Sequence, residues 1–317
     1  MVNWFRNRLP SRQGPADLLT DSAALIPPAV AAPQVTIVVV ANSVRQELER
    51  CFASIKRNAG LPVDTILVDN ASLDDTRNWI RSAHPEVRLI ELDRNLGVAA
   101  RDYGLRESRT PYTMFLDSDA ALAPGTLPSL VEALERNPGW GLVGPRLEYD
   151  DGTLQRSCRR FPPLMLPLLR RPPLGWLFED SRVIRRHLMA DFDHASTRAV
   201  LYVLGACQLF RTALADVAGP FDQRVFLGWD DADWCFRIRD AGGEVVFVAE
   251  ATVLHSYRRQ TRRRPISRAA LRQLAAFAYF QRLYWRRRKE LKGLSEELDR
   301  ASGGIGQRSR GTRSVAV

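Results

Sequence analysis

Two hydrophobic rhythms alternate through the first half of the chain. VTIVVVAN (Val35–Asn42) is a continuous β-branched run, the pattern of a strand buried on both faces. The next segment, VRQELERCFASIKRN, places Leu48, Cys51, Phe52 and Ile55 at helical spacing. The alternation then repeats. DTILVDN reads as a strand, LDDTRNWIRSA as a helix, VRLIELD as a strand, VAARDYGLRES as a helix and YTMFLD as a strand. A helix at Leu127–Arg136 and a strand at Gly141–Pro145 follow. Short loops between such units predict an α/β fold with a mostly parallel sheet covered by helices on both faces. Beyond this point the rhythm loosens. Residues 159–178 are apolar and rich in proline, which rules out a regular helix or a central strand there and leaves an acceptor-side loop, a membrane-touching flap or a mobile segment. Order returns at VLYVLGACQLFR, continues through FLGWDDADWCFRIRDAGG and ends in the strand EVVFVAEATVLH.

Composition sharpens this picture at three places. With 317 residues, 45% hydrophobic and 26% charged, the chain has ample material for a buried core. No apolar run approaches the roughly 20 residues of a membrane span. The N-terminal segment is interrupted by charges and prolines before any apolar stretch forms, so a secretory signal is not expected. The four cysteines are scattered without metal spacing and read as buried free thiols of a cytoplasmic protein. The net charge of +10 is concentrated. Arg258–Lys289 holds eleven arginines and one lysine with no acid, so the body is near neutral and the basic segment implies an anionic partner.

In a sheet of this kind ligands gather at the carboxyl ends of the strands. Asp69, Asn95, Asp117 and Asp119 fall at or just beyond those ends. In LDSDA, Asp117 and Asp119 bring two hard oxygen donors together, which suits Mg²⁺ or Mn²⁺ shared with substrate phosphates. In VDNASLDDT, Asp69 can accept a base or ribose hydrogen bond, whereas Ser72 and Asp74 read as helix caps. In RNLGVAARDYG, Gly97 opens a helix and Arg101 one turn later can reach a phosphate or base; no dinucleotide fingerprint is present. GWDDADWCFR packs three carboxylates into four positions, a cluster that would repel itself unless used, and one of them can act as a general base. On a helix, Asp230 and Asp233 share a face, and Arg237 is placed to pair with Asp233. His255, closing the last strand, can join the two DxD carboxylates as a third ligand, while His84, His187 and His194 read as structural.

Taken in order, VTIVVVAN, VDNASLDDT, NLGVAARDYG, FLDSDA, GWDDADWCFR and VLH resemble the inverting glycosyltransferases of family 2, in particular their rhamnosyltransferase-like and galactofuranosyltransferase-like branches. The resemblance runs from about Val35 to His255. It implies a GT-A fold, a nucleotide-sugar donor and a divalent cation. It places Asp69 against the nucleobase, with Asn95, Arg101 and Asp117 around the donor. It makes Asp117, Asp119 and His255 the metal ligands and Asp231 the base, with Asp230 the alternative. Trp229 and Asp233 fall on the acceptor side. The implied reaction moves a sugar, rhamnose from dTDP-rhamnose being the leading choice, to a cell-surface glycan or lipid-linked acceptor. Asp102 stands where that family often has Asn.

Composition and charge set off a poorly ordered leader (1–33), a basic helical segment (258–300) and a disordered tail (301–317), and the resemblance falls on the catalytic domain between them (34–257, donor half to about 145 and acceptor half from about 146). In the basic segment Arg268, Arg272, Arg282 and Arg286 share one helical stripe, opposite Ala270, Leu274, Phe277, Phe280 and Tyr284. Such a helix suits an anionic membrane surface, here the inner face of the cytoplasmic membrane; packing of its aromatic face on the domain is the competing reading. Two other functions are weighed. A nucleotidyltransferase would need a Gly-rich phosphate loop, which ANSVRQELER lacks. A nucleic-acid or anionic-surface binding protein would leave the acidic clusters unused, and nucleic acid is not the expected partner.

Overall fold

The computed structural model describes residues 32–169, 175–178, 180–256 and 267–308. The expected leader therefore lies almost wholly outside the described residues. So does the arginine-rich stretch 257–266.

The expected alternation forms as β1 (Val35–Ala41), α1 (Arg45–Asn58), β2 (Val63–Asp69), α2 (Thr76–Ala83), β3 (Arg88–Glu91), a 3₁₀ turn at Gly97–Ala100 running into α3 (Arg101–Glu107), and β4 (Tyr112–Asp117). Then come β5 (Ala120–Leu122), α4 (Thr126–Arg136), β6 (Trp140–Glu148) and the two-residue strands β7 (Leu154–Gln155) and β8 (Cys158–Arg159). The proline-rich stretch holds only single helical turns, α5 (Leu166–Leu169) and α6 (Gly175–Phe178), before α7 (Arg182–His187). The chain continues through β9 (Arg198–Ala199), β10 (Tyr202–Val203), β11 (Cys207–Arg211), α8 (Thr212–Ala218), α9 (Asp230–Asp240) and β12 (Glu244–His255), and ends in α10 (Arg268–Leu283) and α11 (Arg288–Arg308).

The main sheet has the order β3-β2-β1-β4-β11-β6-β12-β5. Its first four strands are parallel, and β11 enters antiparallel between β4 and β6. Alternate residues of β1 feed opposite cores. Ile37 and Val39 join Leu48, Phe52, Ile80 and Leu130 beneath α1, α2 and α4. Val38 joins Phe115, Trp234, Phe236 and Phe280 beneath α3, α9 and α10. All four cysteines are buried free thiols.

The C-terminal region differs from the expectation of a single basic segment. It forms two helices, and the second runs to Arg308, past the expected boundary at 300. Both are tied into the second core. Phe277, Phe280, Tyr284 and Leu291 are buried, and Asp299 holds Arg160 and Arg198 at 2.6 and 2.9 Å. The aromatic face of α10 is thus a packing face. An amphipathic helix has one pattern for both uses, and here the apolar partner is the domain itself.

Candidate active site

Sheet register brings the site residues together. Asp69 pairs with Ala41 and Asp117 with Val40, so both carboxylates emerge beside the carboxyl end of β1. β12 runs antiparallel to β5 with His255 opposite Ala120, which sets the imidazole beside Asp119. One donor atom from each of Asp117, Asp119 and His255 lies within 4.8 Å of the others. His255 Nε2 is 3.3 Å from Asp119 Oδ1, and Nδ1 is 2.6 Å from Gln155 Oε1. Burial would lower the His255 pKa, but the hydrogen bond and charge of Asp119 outweigh it and hold the imidazole above its usual value. Burial raises the Asp117 carboxyl, opposed by Arg101 and reinforced by Asp119. Two carboxylates and one imidazole form a donor set that fits Mg²⁺ or Mn²⁺.

Asp69 is fully buried. Its Oδ2 accepts from Arg77 Nε and from the Ser72 backbone N–H. Its Oδ1 is also buried and has no hydrogen-bond partner. A buried acceptor left open is costly, and this atom has the free capacity to accept one further N–H. Asn95 is exposed and is used differently from the expectation. Its Oδ1 accepts from Asn70 Nδ2 at 3.1 Å and Gly97 N–H at 2.8 Å, so it shapes the loop into α3. Gly97 has φ +60°, and a Cβ there would stand 2.1 Å from the Phe226 carbonyl oxygen. Only glycine allows this close passage.

Arg101 is buried between two carboxylates rather than open to a phosphate. It donates to Asp117 Oδ1 at 2.9 Å and Asp230 Oδ2 at 2.8 Å. The contact resolves part of the acidic cluster. Asp233 resolves another part: it is buried, with Oδ2 accepting from Arg237 Nε at 2.9 Å and Oδ1 from Tyr284 Oη at 2.8 Å. Both oxygens of Asp233, expected on the acceptor side, are thus engaged by Arg237 and Tyr284. Asp231 alone makes no ion pair among the described residues. It accepts only from the Ala232 N–H at 2.8 Å, and burial together with neighbouring Asp230 pushes its carboxyl up to about 7. All three carboxylates sit in the first turn of α9, where the helix dipole favours negative charge. Trp229 precedes them with φ +70°, an uncommon left-handed conformation for a bulky residue. Its ring packs on Phe277 at 4.8 Å and Phe280 at 5.6 Å between centroids, so α10 holds the turn that presents Asp231.

Asn70 is legible as a strand-end amide beside Asp69, whereas Gln155 and Arg77 were not legible as site residues in the sequence. Asn70 and Arg77 lie in or beside the VDNASLDDT stretch, but Gln155 sits on a two-residue strand without any local pattern. His84, His187 and His194 fill structural positions: His84 lies against Phe52 and Trp79, and the other two are buried.

Comparison with known proteins places this geometry. Residues 36–204 match the family described as Glycosyl transferase family 2. The chain is 28% identical over 268 residues to N-acetylglucosaminyl-diphospho-decaprenol L-rhamnosyltransferase of Mycobacterium tuberculosis, covering 77% of this chain and 82% of that protein. Among solved structures, the mannosyltransferase PcManGT from Pyrobaculum calidifontis in complex with GDP-Man and Mn²⁺ aligns with TM-score 0.51 at 21% identity, covering 73% of this chain and 59% of that one. GalNAc-T7 with UDP, GalNAc and Mn²⁺ aligns with TM-score 0.58 at 16% identity, covering 81% and 50%. The chain thus spans between half and three-fifths of these solved chains, and the likeness shows a shared GT-A fold.

Proposed function

The chain belongs to glycosyl transferase family 2, and from this premise we propose that it is a metal-dependent inverting transferase. Its donor is a nucleotide sugar, rhamnose from dTDP-rhamnose being our first choice. Its acceptor is a lipid-linked glycan in cell-wall polysaccharide synthesis, met at the cytoplasmic membrane face. The relative named for rhamnosyl transfer to a decaprenol-linked sugar supports both substrates. In this reading the donor half spans about 34–145 and the acceptor half about 146–257.

The observation that carries the proposal is the way Arg101 ties Asp117 of the DxD pair to Asp230, the residue next to Asp231. One buried cation thereby couples the donor carboxylates to the helix turn bearing the base. Asp69 Oδ1 accepts an N–H of the nucleobase. Asp117, Asp119 and His255 Nε2 would hold the divalent cation, with Gln155 fixing the imidazole through Nδ1. When bound, that ion offsets the charge developing on the departing diphosphate. Asp231 takes the proton from the acceptor hydroxyl as its oxygen attacks the anomeric carbon from the face opposite the diphosphate. A bond forms to the acceptor oxygen as the bond to the diphosphate oxygen breaks, and configuration inverts without a covalent intermediate. Asp230 is a poor candidate for the base because Arg101 occupies it.

The test is nucleotide release from dTDP-rhamnose, UDP-sugars and GDP-sugars with Mn²⁺ or Mg²⁺ and bacterial lipid extract, beside Asp119→Ala and Asp231→Asn. Release from one donor, abolished by chelator and by both substitutions, supports the proposal. No release and no donor binding by calorimetry would overturn it.

A further inference from the structure

Most of the exposed large hydrophobic side chains among the described residues gather in two stretches, one holding Leu164, Met165, Leu168, Leu177 and Val183 and the other Leu271, Leu274, Leu283 and Trp285. Leu164, Met165, Leu168, Leu177 and Leu271 are each at least half exposed, and Leu274 is close to it. The two stretches form one surface. Leu166 and Leu169, the first and last residues of α5, are buried with Ile184 against Phe277 of α10. The buried Gln281 Nε2 donates to the Pro162 carbonyl at 3.0 Å, fixing the start of the proline-rich stretch on the same helix. At 100° per residue Gln281, Leu274 and Leu271 progress around one flank of α10. Exposed Leu168 of α5 and exposed Leu274 of α10 thus flank the buried contact of Leu166 and Leu169 with Phe277, and we take them as parts of one plate. Its inner residues are locked in a core while its outer ones face water, so the exposure cannot be relieved by local collapse. A patch of this kind on a folded chain marks an interaction surface.

Charge at the margin identifies the partner. Arg182 and Arg185 on α7 and Arg282 on α10 are exposed and make no ion pair among the described residues, although the two on α7 line a cavity shared with Asp180, Asp191 and Asp299. Leucines set among proline-bounded turns with unpaired arginines around them match the anionic lipid interface, where apolar side chains enter the acyl boundary and cations meet headgroups. No described helix is long and apolar enough to cross a membrane, so the contact is lateral. Trp229 packs against the same buried cluster that supports the plate and immediately precedes Asp230 and Asp231. We propose that this plate seats the enzyme on anionic membrane, with its catalytic turn held just behind the lipid contact. The proposal rests on the lipid-linked acceptor argued above, and relocates the membrane contact from the aromatic face of α10 to its leucine flank and the proline-rich turns.

The test is flotation of the full chain with vesicles of phosphatidylglycerol in phosphatidylcholine and with phosphatidylcholine alone. Wild type floats with the anionic vesicles, and less so at high salt. Met165→Glu/Leu168→Glu lowers binding by about tenfold or more, and Arg182→Gln/Arg185→Gln by several-fold, with melting temperature and sugar-nucleotide binding unchanged. Equal flotation of wild type and the double glutamate variant would overturn the proposal. So would a wild-type dimer in light scattering that this variant dissociates, since a second copy would then occupy the plate. Calorimetric sugar-nucleotide binding separates the two readings: vesicle binding without it leaves the plate standing and removes the transferase reading, and the reverse result removes only the plate.

Discussion

Gln155 Oε1 accepts the Nδ1 proton of His255 at 2.6 Å, although the two residues are a hundred positions apart. The bond leaves Nε2 as the nitrogen that faces Asp119. With Nδ1 holding the proton, the Nε2 lone pair is free for a cation once the imidazole is neutral. Gln155→Leu is therefore expected to weaken Mn²⁺ binding about 10–100-fold, as loss of an outer hydrogen bond to a ligand does. Gln155→Glu keeps an acceptor there and should retain binding. Calorimetric titration of Mn²⁺, or its electron paramagnetic resonance signal, reads both without turnover. Equal affinity in wild type and Gln155→Leu would remove the orienting role.

Arg101 bridges Asp117, whose side chain is partly open to water, and Asp230, whose side chain is largely shielded, so its removal leaves the Asp230 charge buried without a counterion. Arg101→Met is expected to cost about 3–5 kcal/mol, the range for breaking a buried ion pair from one side. Asp230→Asn in the Arg101→Met background should recover part of that loss, because one stranded charge is gone. Urea unfolding of the single and double variants measures the coupling. Strict additivity would show that the bridge contributes nothing.

Much of this site was legible because its residues close strands. A buried β-branched run ending in a carboxylate announces a ligand at the sheet's carboxyl edge, which is how Asp69, Asp117 and His255 stood out. The partners were not legible. Arg101 meets Asp230 across 129 residues, and no local spacing encodes that contact. The three acids of GWDDADWCFR look equivalent in sequence, and only tertiary partners sort them. Arg101 takes Asp230, Arg237 and Tyr284 take Asp233, and Asp231 is left over. The aromatic stripe of α10 was ambiguous for the same reason: its pattern does not name the surface it meets, which for Phe277, Phe280 and Tyr284 is the domain itself.

The loop at Gly97 and the turn at Trp229 are linked through Phe226, whose carbonyl accepts the Val98 N–H at 3.1 Å. Gly97→Ala puts a methyl into that carbonyl and also strains a left-handed backbone. The expected cost is about 1–3 kcal/mol, seen as a lower melting temperature. kcat should fall as well, because Phe226 leads into the turn bearing Asp231. A variant with unchanged melting temperature and kcat would show that the two loops are independent.

Asp231 provides the sharpest signature, because burial and Asp230 raise its carboxyl to about 7 from the ordinary value of 3.8. A general base must be ionised, so kcat/KM should rise with pH to a plateau above about 7. Stability should run the other way. Between the ordinary carboxylate value and about 7 the folded chain holds a proton that the unfolded chain has released. Folding therefore weakens as pH rises through that window. Asp231→Asn cannot titrate, so it should lose this slope and become more stable than wild type near pH 8. The same change should lower kcat by about 10²–10⁴-fold. Paired pH series of kcat/KM and urea midpoint test both at once. An activity profile without a limb near 7, or a wild-type stability slope that persists in Asp231→Asn, would move the base elsewhere on α9.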